Sequence, residues 1–128
     1  MVKSVCILVR KPPYGSMDAA EAVRHINGAL AAGLRTRAVL LGDGVYVAAT
    51  NQEAEVAGWT SLSAALEQSL ISGASLREGA VNRAEVYAHG PSLEQQGLTG
   101  ERLIEGAQVI TDAELAEILA GSDSVLVF

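Results

Sequence analysis

A chain of 128 residues falls within the common size of a single domain, about 100–150 residues, and is long enough to build a core without metal or disulfide staples. Hydrophobic residues make up 49% and charged residues 19%, which excludes a disordered chain, a collagen-like repeat and a solvated coiled coil. Fifteen acidic against nine basic side chains leave a net charge of −6, and aromatics are only 4%, so neither an electrostatic nor a base-stacking surface for nucleic acid is expected.

In chain order, Val5-Cys6-Ile7-Leu8-Val9 is a continuous apolar run, the mark of a strand buried on both faces of a parallel sheet. Over residues 18–32, Ala19, Ala22, Val23, Ile26 and Leu30 recur at helical spacing, and Gly33 supplies the stop. Ala38-Val39-Leu40-Leu41 reads as the second strand of a βαβ unit, with Gly42-Asp43-Gly44 as a turn. Residues 45–49 are a short apolar piece of one or two helical turns, 51–58 a loop, and 61–71 a helix with Leu62, Ala65, Leu66 and Leu70 on one face. Residues 84–88 form a third strand that halts at His89-Gly90-Pro91. Ser92 and Gln95 have the spacing of a capping box opening a short helix that Gly97 ends. Residues 106–110 are a fourth strand, and Thr111 with Glu114 forms a second capping box for a helix to Ala120, with Gly121 as its cap. Residues 124–128 are a fifth strand. Strands alternating with helices predict one domain over residues 1–128, an α/β three-layer sandwich around a five-stranded, mostly parallel sheet of flavodoxin-like type.

The single cysteine, Cys6, allows no internal disulfide and suits a reducing compartment. The N-terminal apolar run is shorter than the about 7–15 residues of a signal-peptide core, and no stretch reaches the ~20 apolar residues of a membrane span. The expectation is a soluble, cytoplasmic protein with no membrane partner.

Ligands of open α/β sheets gather at the carboxyl ends of the strands. Those ends carry Lys11 to Ser16 with Tyr14, then Asp43 and Tyr46, then His89 and Ser92. The first loop has one glycine and two prolines, and so lacks the backbone donors of a phosphate cradle; Ser16, or Asp18 with Glu21, reads as a helix cap. Asp43 reads as a turn residue, since Arg10 and Lys11 stand where a phosphoacceptor would need an acidic pair. Cys6 reads as a core residue without the exposed, electropositive setting of a reactive thiol. His25 reads as surface. His89, at a strand end before a helix start, is the titratable ring best placed to act, or a hydrogen-bonded structural residue. Neither a metal site nor a cofactor is expected from two histidines and one cysteine.

Four segments carry a family resemblance: Val5 to Ser16, Leu40 to Tyr46, Val86 to Leu98, and Asp123 to Phe128. In order and spacing they resemble the DsrE/DsrF-like sulfur-relay proteins, which include the TusB, TusC and TusD subunits of the tRNA thiouridine pathway. The Asp43-Gly44-Val45-Tyr46 piece and the strand ending in Phe128 are most similar to the DsrF/TusC branch. The resemblance implies the same five-stranded sandwich and assembly into homotrimers, homohexamers or heterohexamers with DsrE- and DsrH-like subunits. It also implies a persulfide-bearing cysteine, in catalytic members, at the end of the third strand. Counted back from Gly97 that position is His89, with Ala88 the only other slot.

The resulting expectation is a DsrF/TusC-like member that does not itself carry sulfur, a scaffold subunit or small-ligand binder with His89, Ser92, Asp43, Tyr46 and Tyr14 as candidate binding residues. The alternative is a stand-alone homo-oligomeric enzyme or metabolite-binding protein that uses the strand end around His89, with Tyr46 or Asp43 in an acid/base role. Few helices for two sheet faces leave apolar surface for an interface, with residues 45–49, Trp59 and the 61–71 helix as expected contributors.

Overall fold

The computed structural model describes residues 3–49, 84–98 and 102–128. The expected loop at 51–58, Trp59 and the expected helix at 61–71 lie outside the described residues. The chain runs β1 (Ser4–Val9), α1 (Asp18–Ala31), β2 (Arg35–Leu40), a 3-10 helix (Gly42–Ala48), β3 (Glu85–His89), α2 (Gly90–Gln96), β4 (Gln108–Ile110), α3 (Asp112–Ala120) and β5 (Ser124–Val127). The five strands form one sheet in the order β4-β3-β2-β1-β5, with every pairing parallel. From β1 the chain steps outward one strand at a time to β4, then crosses to the far side of β1 for β5.

The continuous apolar run suits an interior strand: β1 lies between β2 and β5, where both faces need covering. Val5, Ile7 and Val9 pack on one face with Ala19, Ala22, Val23 and Ile26 of α1 and with Val45 and Val47 of the 3-10 helix. Cys6 and Val39 point to the other face, where Ile118 of α3 closes over them. β5 is an edge strand, and its Val125, Leu126 and Val127 remain exposed.

Several boundaries differ from the sequence reading. β2 begins at Arg35 rather than Ala38, because its two arginines find partners across the sheet: Arg35 pairs with Glu85 and Arg37 donates to Ser122 Oγ at 3.1 Å. Met17, not Ser16 or Asp18, is the N-cap of α1, and no side chain caps it. The turn after β2 hinges on Gly42, which takes φ +58, while Asp43 already belongs to the 3-10 helix. Residues 45–48 are helical, part of the 3-10 helix, while Ala49 is extended and bridges to Leu103; Val45, Val47, Ala48 and Ala49 are buried within the chain. β4 is shorter than 106–110 because Gly106 takes φ +94, outside strand geometry. The Thr111–Glu114 capping box forms in full.

Candidate functional site

The carboxyl edge of the sheet gathers most of the candidate residues into two hydrogen-bonded sets that lie side by side. The arrangement depends on a close approach. The 3-10 helix folds back over the end of β1 so tightly that a Cβ on Gly44 would stand 1.9 Å from the Val9 carbonyl oxygen. The same carbonyl accepts the Leu41 N–H at 3.0 Å. Only glycine fits there, and its presence brings Gly42, Asp43 and Tyr46 against α2.

Ser92 does not open α2 as a cap. Gly90 and Pro91 take the first positions of the helix and His89 is the N-cap; proline's fixed φ is tolerated at a helix start. Ser92 is thereby drawn into the helix and buried at 5% exposure. Its Oγ accepts the Gly42 N–H at 2.8 Å and stands 2.7 Å from His89 Nδ1. The other ring nitrogen, Nε2, stands 2.5 Å from Asp112 Oδ1. A carboxylate only accepts, so Nε2 carries the proton; in the neutral ring Nδ1 then accepts from the Ser92 hydroxyl, and every group in the row is satisfied. The imidazole is 14% exposed and the Asp112 side chain 80%. The row therefore runs from a buried serine to a carboxylate in solvent.

A second set lies alongside. The Tyr46 hydroxyl is 3.1 Å from Gln96 Oε1 and 3.3 Å from the Gln96 carbonyl, and Gln96 Nε2 donates to Asp43 Oδ1 at 2.9 Å. Asp43, Tyr46, Ser92 and His89 are thus brought together from three elements, the 3-10 helix, α2 and β3; Tyr14 stands half-buried on the loop that leaves β1 at the same edge. Sequence reasoning missed Asp112 and Gln96 as site residues. Asp112 reads locally as the first residue of a capped helix, and its partner lies 23 positions away.

Next to this system, α2, β4 and the first turn of α3 enclose a groove of about 620 Å3. Among the described residues no group of three His, Cys, Asp or Glu side chains converges as a metal site would require.

Cys6 lies on the opposite face of β1, fully buried. Burial pushes its thiol pKa up, against the nearby Arg37 charge and the Ser122 hydrogen bond, which pull it down. The setting is therefore more electropositive than the sequence suggested, although desolvation prevails. Arg37 is itself buried, and its Nε finds no hydrogen-bond partner. His25 is exposed, with its ring 5.0 Å from that of Phe128.

The architecture and the β3–α2 site define a small parallel α/β protein of the kind the sequence resembled. A model of the DsrE/DsrF-like family matches residues 3–128, and the chain belongs to that family. Curated relatives include an uncharacterized protein of Methanopyrus kandleri, 31% identical over 97% of this chain and 93% of its own. Another, from Methanocaldococcus jannaschii, is 32% identical over 95% of this chain and 96% of its own. Among solved structures, the YchN protein of E. coli shares the fold with a TM-score of 0.80 at 23% identity, covering 98% of this chain and 99% of that one. A protein of unknown function from Methanobacterium thermoautotrophicum aligns with a TM-score of 0.62 at 15% identity, over 94% and 96% of the two chains. Among the described residues no helix is long and apolar enough to cross a membrane.

Proposed function

We propose that this chain is a sulfur-relay-related member of the DsrE/DsrF-like family that does not carry sulfur itself, and acts as a DsrF/TusC-like scaffold subunit or small-ligand binder. One observation carries the reading: the strand end at which the resemblance puts the persulfide cysteine of catalytic members bears Ala88 and His89 here, and His89 is held between Ser92 and Asp112. The only thiol, Cys6, is buried on another strand with its pKa raised. A thiolate is the nucleophile in sulfur exchange, and a buried, high-pKa thiol is a poor source of one.

Such a subunit works in company, as a homotrimer or homohexamer or with DsrE- and DsrH-like partners. The exposed apolar side chains of β5 support an assembled state, since an edge strand without charge or proline invites pairing. Native mass spectrometry of the purified chain, alone and then mixed with candidate relay subunits, tests this role. Masses of three or six copies, or a mixed complex, are expected. A chain that stays monomeric under both conditions contradicts it.

A further inference from the structure

The groove of about 620 Å3 has the volume of a small-molecule site, about 300–1,000 Å3. Its walls are apolar: Leu93 and Leu98 on one side, Val109 and Ile110 of β4 on the other. Gly90 shapes it, since a Cβ there would stand 3.2 Å from the Ile110 carbonyl and 3.4 Å from Val109 Cγ1; glycine lets α2 begin in contact with β4. Val109 is left 51% exposed, apolar surface that a ligand would cover.

Among the described residues, the charged groups lining the groove have one sign. Glu94 and Asp112 line it, and among the described residues no lysine, arginine or histidine does. A helix N-terminus by itself attracts anions, but the first turn of α3 already holds Asp112 and Glu114, which satisfy that dipole and reverse the local charge. Asp112 gives one oxygen to His89 and is otherwise open to solvent. A carboxylate or phosphate ligand would meet repulsion here; a protonated amine would meet two acceptors.

We propose that the groove binds a small organic ammonium ion, its hydrocarbon body against Leu93, Leu98, Val109 and Ile110 and its charged head facing Glu94 and Asp112. This names the ligand class for the binding role proposed above and rests on that role. Failure of that role, by persulfide capture at Cys6, is read from a thiol and not from the groove, so the two failures are distinguishable.

Backbone amide spectra of the folded chain, titrated separately with n-hexylammonium, methylammonium, n-hexanol and hexanoate, test the proposal. Hexylammonium is expected to shift the amides of Gly90, Val109 and Ala113 saturably, with Kd of order 1–10 mM for so small a ligand. Hexanoate and methylammonium should bind at least about tenfold more weakly, since one lacks the cation and the other the apolar body. Glu94→Gln, an exposed change, should weaken hexylammonium about threefold, and Val109→Trp should abolish the shifts by filling the groove. Absence of saturable shifts, binding of hexanoate or hexanol as tight as hexylammonium, or binding indifferent to both substitutions overturns the proposal.

Discussion

His89 joins the buried Ser92 hydroxyl to the exposed Asp112 carboxylate, and the two ends of that row have different worth. Removing the ring leaves Ser92 Oγ without its imidazole partner in a site of low exposure. His89→Ala should therefore cost about 1–3 kcal/mol, the penalty for stranding a buried polar group. Asp112→Ala, at the wet end, should cost less than about 1 kcal/mol. Urea unfolding of the two variants checks the ordering, and equal losses would mean that His89 is not anchored through Ser92. Arg37 is a different case, a buried guanidinium with an unpartnered Nε. Replacing it with the apolar, similarly long Met should be neutral or stabilising by up to about 3 kcal/mol. The same change removes the charge that pulls the Cys6 pKa down, so native-state alkylation of Cys6 should slow further in Arg37→Met. Faster alkylation would show that Arg37 covers the thiol and does not activate it.

Elements carry the site through close packing, and the most demanding contact is Gly44 on the Val9 carbonyl. Gly44→Ala forces the 3-10 helix away from β1 and should cost roughly 3 kcal/mol or more; a fully stable variant would mean that this helix docks differently. The pairing of β2 with β3 adds a pH dependence. Hydrogen bonding from Arg35, then from Tyr87, holds the Glu85 carboxyl below its ordinary value against partial desolvation. A carboxylate with a depressed folded pKa contributes stability above its unfolded value, about 4.3, and loses it as pH falls through the folded value. The pair is well exposed, so the contribution is at most about 1 kcal/mol. Glu85→Gln should flatten the loss of stability with acid in this range; an unchanged slope would place the acid sensitivity elsewhere. Asp123, which accepts the Lys3 and Ser4 N–H groups at 2.8 and 3.0 Å, is shifted in the same direction by those bonds.

β1, α1 and the Thr111 capping box were legible in the sequence because their signals are local: an unbroken apolar run, a helical period, a Thr–Glu spacing. The start of β2 was not, because Arg35 and Arg37 break the apolar pattern and are satisfied only by Glu85 and Ser122, far away in sequence. The Ser92 capping box misled for the same reason. Its spacing is right, but the hydroxyl is committed to Gly42 and His89. Within the site, chain order pointed to His89, Tyr46 and Asp43 as strand-end residues, whereas their connectors Asp112 and Gln96 emerge only once β4 lies beside β3 and α2 against the 3-10 helix.

At the scale of the whole molecule, the parallel sheet and the DsrE/DsrF-like family are the frame for the proposal that this chain is not itself a sulfur carrier. Tyr46 is half-buried with its hydroxyl tied to Gln96, whereas Val125, Leu126 and Val127 of β5 are exposed; substitutions meant to dissociate an assembly therefore belong on β5, where Val127→Lys should lower the native mass without unfolding the chain. The claim itself is tested most directly by exposing the folded protein and its His89→Cys variant to a polysulfide donor and mapping every modified thiol by mass spectrometry. The account predicts that the wild-type chain stays unmodified at Cys6 while the variant gains a sulfur atom at the substituted position. Rapid, stoichiometric persulfide formation on Cys6 of the native wild-type protein would contradict it.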